Sequence, residues 1–408
     1  MVDLMRGSGD HLSFGERIAF YRTRRGLTQA VLANLVGRSE DWLSKIERGE
    51  REIRRLDILT ELARALRITL GDLIGQPVLV EDDREDDNVP AIRDALMNPR
   101  RLSRLIFENV ATAPPEIASM ESMTAAAWGD YQNGGLSRTI SVLPRLIASA
   151  QALEVEGSRP GWRVSARAHH LAATTLSKIG EADLAWIAAE RAMGAADMSD
   201  DTLALASAAR AGAHALLSVG RYDDALQVGE VARSWLASRV RADDPEALSL
   251  LGMLDLRMSV AAARRRDRET TTALLNRAGV AAAQLGRDLN YWQTAFGPTN
   301  VELHRISTAL DLGDVAYVAE RGSSVDPSAL PVERQVCHRV DLARAYSHLA
   351  QDEEAVRSLL GAELQAPQFV RHDPVVRETV RVIYRRSPVT MGGRRSDVMQ
   401  LAERCRAV

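Results

Sequence analysis

The segment QAVLANLVGRSEDWLSKIER, residues 29–48, decides how the first part of the chain folds. Ala33 stands fifth in it, Gly37 ninth, Leu43 fifteenth and Ile46 eighteenth. A small residue at the fifth place lets two helices cross closely, and a glycine at the ninth takes the turn between them. Leu43 and Ile46 are one helical step apart and anchor the second helix to a core. Thr28 and Ser39 each precede a helix, where a side-chain oxygen accepts from an otherwise unpaired backbone N–H. Two helices joined by a tight turn follow from this frame. The second one opens with two carboxylates, Glu40 and Asp41.

Outward from this segment, apolar residues keep helical spacing. Ile18 and Tyr21 mark a helix before it, and Leu32, Leu35 and Val36 the first of the pair. Leu59, Leu62, Ala63 and Leu66 mark a fourth helix, and Leu70, Leu73 and Ile74 a short fifth. Five short helices over residues 13–76 make a small domain with a modest core. A flexible arm, residues 1–12, precedes it. Residues 1–75 hold 13 Lys/Arg against 11 Asp/Glu, whereas QPVLVEDDREDD (76–87) holds six acids against one arginine. Like charges repel and leave little to bury, so residues 77–89 read as an acidic linker, with a new helix starting near Asn88 and Pro90.

The chain has 408 residues, 46% apolar and 26% charged, which suits two or three globular domains. Cys337 and Cys405 have no metal-like spacing and fit a reducing interior. MVDLMRGSGDHLSF has no apolar stretch of a signal peptide, and no run of about 18 apolar residues follows to span a membrane. A cytoplasmic protein, held at the nucleoid when on DNA, is the expectation.

Residues 90–408 are alanine-rich with helical spacing, and a motif recurs in them. LSKIGEADLAWIAAERA (176–192), LLSVGRYDDALQVGEVA (216–232) and SHLAQDEEAVRSLLGA (347–362) each end a helix at Gly180, Gly220 or Ala350. Each then turns through acidic residues and places Ala185, Ala225 or Ala355 five positions later. Weaker copies surround Arg266 and Gly313, giving steps of 40, 46, 47 and 37 residues. Small residues are needed where paired helices cross, and each pair buries its face against the next. The expected class is all-α: a five-helix domain followed by an α-solenoid of helical hairpins. A generic alanine-rich bundle is the plainer alternative.

Residues 13–76 resemble the Xre, or lambda-repressor-like, helix-turn-helix family, through RxxRGLTQ (Arg22 to Gln29) and IERGER (Ile46 to Arg51) as well as the frame above. The repeats resemble a tetratricopeptide array, with steps longer and less regular than the usual 34 residues or so. In the Xre family the helix after Ser39 enters the major groove of double-stranded operator DNA. Carried over by motif position, Glu40, Asp41 and Lys45 face base edges, Ser39 and Trp42 lie at the groove margin, and Thr28 and Gln29 meet phosphate. Where the family often has a proline before the fourth helix, this chain has Arg54, beside Arg51 and Arg55. With Arg38, Lys45 and Arg48 these arginines form a cationic rim.

The two carboxylates have a reading without DNA, since acids in the first turn complement the helix dipole by roughly 0.3–1 kcal/mol. They also suit DNA, because a carboxylate accepts from cytosine N4 and a wrong pair there costs about 1–3 kcal/mol. Repulsion from phosphate falls mainly on non-specific binding, which is nearly all electrostatic. A selective binder, dimeric on a two-fold operator, is expected.

The combination of the two modules resembles the peptide-pheromone-sensing regulators of Gram-positive bacteria (the Rgg, PlcR, NprR and PrgX group). It also resembles actinobacterial Xre-tetratricopeptide regulators, to which FGPTNVELHR is closer and which imply no single ligand. A signal peptide or a small molecule bound by the array, as in quorum sensing, is the implied input. Aromatics are only 4% of the chain, so their clusters single out candidates. NYWQTAFGPTNVELHR (290–305) spaces Trp292, Phe296, Asn300 and His304 four apart, on one face if a helix runs through Gly297 and Pro298; a bend there is expected. The plainer reading makes Trp292 and Phe296 core residues and Asn300 a cap. AAAWGDYQNGG brings Trp128 and Tyr131 together. ARAHHLAATT holds His169 and His170, which point about 100° apart, so no metal site is expected. SDVMQLAERCRAV, with Val398, Leu401, Ala402 and Cys405 on one stripe, reads as an end-capping helix and a candidate dimer contact.

No phosphate loop, GxSxG, HExxH or dinucleotide fingerprint occurs, so neither catalysis nor a cofactor is expected. The sequence favours a signal-responsive transcriptional regulator. The alternative is an interaction scaffold whose solenoid docks a protein partner and whose small domain only tethers weakly to DNA.

Overall fold

The structure is a computed structural model that describes residues 13–24, 27–51, 53, 55–66, 68, 73, 89–101, 114–386 and 394–407. The expected arm (1–12), the acidic run (77–88), Arg54, Leu70 and Ile74 lie outside the described residues. Two compact units divide after residue 84.

In the first unit, α1 (Phe14–Arg24), α2 (Gln29–Leu35), α3 (Glu40–Glu47) and α4 (Leu56–Leu66) enclose one core. Ile18, Leu32, Ala33, Leu43, Ile46, Leu62 and Leu73 are fully or almost fully buried in it. Leu35, expected on the same face, is 60% exposed. It follows Leu32 by three positions at the very end of α2, and the next residue, Val36, fills the core position instead. Gly15 packs α1 against the end of α3 so closely that a Cβ would lie 2.3 Å from the Ile46 carbonyl oxygen. No side chain fits there.

The second unit is helical throughout its described residues, apart from one isolated bridge between Leu289 and Phe296. After α5 (Val89–Leu96) come six helical hairpins. They are α6 (Ile117–Gln132) with α7 (Leu136–Glu156), α8 (Arg159–Ile179) with α9 (Ala182–Ser199), and α10 (Thr202–Ser218) with α11 (Tyr222–Ala237). Then follow α12 (Pro245–Arg264) with α13 (Arg268–Leu285), α14 (Pro298–Leu312) with α15 (Val315–Gly322), and α16 (Val332–His348) with α17 (Asp352–Gln365). The short α18 (Pro367–Arg371), α19 (Pro374–Arg386) and α20 (Arg394–Arg404) close the chain.

All five turn positions read from the repeat have left-handed backbone: Gly180, Gly220, Arg266, Gly313 and Ala350 have φ of 86°, 76°, 64°, 94° and 58°. The residues five positions later, Ala185, Ala225, Thr271, Val318 and Ala355, are all buried. The first helix of each hairpin packs on the first helix of the next, and α16 comes back against α6. The solenoid is curled until its inner helices form a ring. At the closure a Cβ on Gly134 would lie 2.9 Å from that of Ala366, and the rings of Tyr131 and Phe369 meet edge-on at 5.2 Å. The apolar stripe of α20, Val398, Leu401, Ala402 and Cys405, is buried within this unit.

Candidate functional site

The helix pair is fixed by short-range chemistry. The Thr28 hydroxyl accepts from the Val31 N–H and the Ser39 hydroxyl from the Trp42 N–H at 3.2 Å. Gly37 makes the turn at φ 63°. Behind the turn, Glu47 joins three elements. Its carboxylate accepts from Arg22 Nε at 2.6 Å and Nη2 at 3.0 Å, and from Gln29 Nε2 at 2.6 Å. Arg22 also donates to the Leu27 carbonyl at 2.9 Å. This cluster is buried, with side-chain exposures of 15% for Arg22 and 6% for Glu47. Gln29 thus ties α2 to α3.

On the outer face, Thr28, Arg38, Ser39, Glu40, Asp41, Arg48, Arg51 and Arg55 are exposed, and Trp42 and Lys45 are half-buried. The charges are mostly paired with one another. Lys45 Nζ donates to Asp41 Oδ2 at 2.7 Å, and this bond holds Asp41 below the usual carboxylate range. Arg48 donates to Glu50 at 2.7 Å and to the Ser44 hydroxyl at 3.1 Å. Arg38 stacks over the Trp42 ring at 5.8 Å. Such exposed pairs are screened by solvent and contribute little to stability, so they can rearrange readily.

The second unit has a partly open cavity of about 240 Å³ inside the helical ring, walled by α6, α8, α10, α12, α16 and the segment between α13 and α14. Trp128 and Tyr131 line it, as their pairing in the sequence suggests. The Trp128 indole N–H donates to the Arg167 carbonyl at 3.3 Å, and its ring meets His170 edge-on at 5.2 Å. Of the two adjacent histidines it is His170 that faces the cavity. His169 is fully buried on the other side, 3.2 Å from Glu154. His170 Nδ1 lies 3.0 Å from the Ser207 hydroxyl, and Nε2 lies 3.4 Å from an Arg210 nitrogen that can only donate. Nε2 therefore accepts, and burial with Arg210 and Arg257 nearby lowers the imidazole pKa well below its usual value. His170 is neutral at pH 7.

No continuous helix runs through residues 290–305. Helix α14 begins at Pro298, whose ring suits a first helical position, and residues 290–297 form a strap instead. Trp292, Gln293 and Ala295 have φ of 51°, 54° and 45°, a left-handed run unusual for residues other than glycine. Trp292, Phe296, Asn300 and His304 therefore do not share a face. Phe296 is fully buried, and a Cβ on Gly252 would lie 1.9 Å from its ring. Asn300 is buried and donates to the Thr294 carbonyl at 3.3 Å. His304 donates from Nδ1 to the Asn300 carbonyl at 2.9 Å, and burial brings its pKa down to about 3. Trp292 donates from its indole to Glu246 at 2.7 Å, so it approaches the cavity only through its backbone carbonyl.

The cavity residues that the sequence reading missed include five cations, Lys178, Arg210, Arg257, Arg264 and Arg334. Their signal was present as polar residues four apart in otherwise small or apolar helices: His170, Thr174 and Lys178 on α8, and Arg210 and His214 on α10. Among the described residues no group of three or more His, Cys, Asp or Glu side chains could hold a metal, and no helix is long and apolar enough to cross a membrane.

No curated protein matches the chain. Among solved structures, Bacillus thuringiensis PlcR in complex with the peptide PapR7 and DNA is 17% identical, with 67% of this chain and 95% of that chain covered and a TM-score of 0.33. ComR from Streptococcus suis is 12% identical, with 91% and 94% covered and a TM-score of 0.26. At such scores nothing about ligand or DNA passes from those proteins to this one. Residues 13–74 match the family described as "Helix-turn-helix domain". The first unit of the chain therefore carries a helix-turn-helix domain, the kind of module found in transcription regulators.

Proposed function

We propose that this chain is a sequence-specific, cytoplasmic transcription regulator of the Xre type, which binds a two-fold operator as a homodimer and is controlled by a signal bound in its tetratricopeptide-like ring. The observation that carries the DNA reading is α3 itself. Its Ser39 cap, its core anchors Leu43 and Ile46 and the Glu47 cluster fix a helix whose first turn, Glu40 and Asp41, is exposed together with Arg38 and beside the half-buried Lys45. A rigid helix with an exposed polar first turn is what major-groove reading requires. One such small reader covers few base pairs, so two copies on a symmetric site supply the remaining affinity. The cavity inside the ring supports the sensing role by offering a place for a signal, which acts only if it binds one arrangement of the dimer better than another.

Footprinting of the full chain on genomic fragments tests this reading. A short protected palindrome is expected. Salt-sensitive binding without a footprint would favour a scaffold that merely tethers to DNA.

A further inference from the structure

We propose, on the basis of the sensing role above, that the cavity in the ring is a site for a small organic oxyanion, a carboxylate or phosphate monoester whose head group is held by Arg210 and Arg257. Five cations line the cavity, and three of them already have carboxylates. Lys178 Nζ lies 2.8 Å from Asp373, Arg264 Nε 3.3 Å from Asp311, and Arg334 Nε 2.6 Å from Glu333. Arg210 and Arg257 have no carboxylate partner among the described residues.

Arg210 is only 5% exposed. Its two terminal nitrogens donate to the main-chain carbonyls of Gln293 at 3.2 Å and Trp292 at 3.0 Å, while its Nε is buried with no partner. Arg257 likewise has a buried Nε without a partner. Burial, together with the charge of Arg257, lowers Arg210 to about 9, and burial with the charge of Arg334 lowers Arg257 to about 10. Both stay charged at pH 7. Two guanidinium charges without a carboxylate, one of them held only by main-chain carbonyls, are costly in a largely buried cavity, and a planar oxyanion accepts from such forks in pairs.

The remaining walls select further. His170 is held neutral and offers no competing charge. Trp128 and Met253 supply an apolar surface for the body of the ligand. A volume of about 240 Å³ holds roughly eight waters and is below the 300 Å³ or so at which ligand pockets usually begin. A small acid fits inside the ring better than an extended peptide. Occupancy also has a route outward, since an oxyanion at Arg210 competes with the carbonyls of Trp292 and Gln293. Those carbonyls belong to the left-handed strap, which reaches α6 through paired Asn290 and Gln132 amides at 2.8 Å.

Thermal unfolding of the full chain with benzoate and phenyl phosphate as probes, against sodium chloride at equal ionic strength, tests the site. At least one probe is expected to raise the midpoint saturably by about 3 °C or more, with chloride giving no such rise. Arg257→Gln should raise the midpoint without a probe, because it removes an unpaired buried charge, and should abolish the probe shift; Arg257→Lys should keep part of it. The absence of a shift with either probe, or an equal shift in Arg257→Gln, would overturn the proposal. A lower midpoint of Arg257→Gln without a probe makes Arg257 a structural residue and overturns it as well. A probe that binds without changing the DNA footprint contradicts the sensing role and leaves the anion site standing. A footprint that responds to host-cell extract while no probe binds does the reverse.

Discussion

Asp41 and Lys45 are bonded across one turn of α3, with the acid on the N-terminal side, the favoured order for such pairs. In that state Lys45 is neutralised toward phosphate. Replacing Asp41 with Asn frees the ammonium and removes a repulsive charge, so affinity for random duplex should rise and the log–log salt dependence should steepen by about one unit. Titrations of random DNA at several salt concentrations check this, and an unchanged slope would remove Lys45 from the interface. Glu40→Gln should likewise raise random-duplex affinity and alter the preferred base at one operator position. Glu47 acts on stability instead. Glu47→Ala leaves Arg22 buried without its carboxylate and should cost about 3 kcal/mol, read by denaturant unfolding of the small domain's signal. The caps at Thr28 and Ser39 were legible because a cap involves neighbours three positions apart. Glu47 was not, because its partners Arg22 and Gln29 are 25 and 18 positions away.

Among the elements, the hairpin turns were the most legible, since a left-handed residue leaves a local mark in the sequence. Glycine fills three of the five turn positions, and Ala350 takes φ 58° against its preference. Ala350→Gly should therefore stabilise the ring by about 0.5–1 kcal/mol, whereas Gly220→Ala should destabilise it by a similar amount. Thermal unfolding distinguishes the two. The strap at 290–297 was less legible. The four-residue spacing of Trp292, Phe296, Asn300 and His304 suggested one face, yet Pro298 starts a helix and left-handed residues precede it. Phe296 turns inward over Gly252, a fit made between elements and invisible in either stretch alone. His304 gives this region a pH dependence. Its pKa is about 3 in the fold and about 6.5 in the unfolded chain, so between these values only the unfolded chain takes the proton. Stability falls as pH drops below about 6.5, by roughly 1.4 kcal/mol per pH unit from this residue. Denaturant unfolding at pH 7 and pH 5.5 should show the loss, and His304→Gln should reduce it.

For the whole molecule, the sequence revealed two modules and a repeating hairpin but not the closure of the ring. Closure depends on contacts between α6 and α16, more than 200 positions apart, which no local pattern encodes. The cavity charges were hidden for a related reason: each lining helix contributes only two or three polar residues, and only the ring brings them together. Sequence-specific regulation by this chain requires that α3 read DNA sequence. In vitro selection from random duplexes with the full chain tests this most directly. It should enrich a two-fold consensus whose half-sites are centred about 10 base pairs, or a multiple of that, apart. A selected pool with no enriched sequence, bound as tightly as the starting pool, would contradict it.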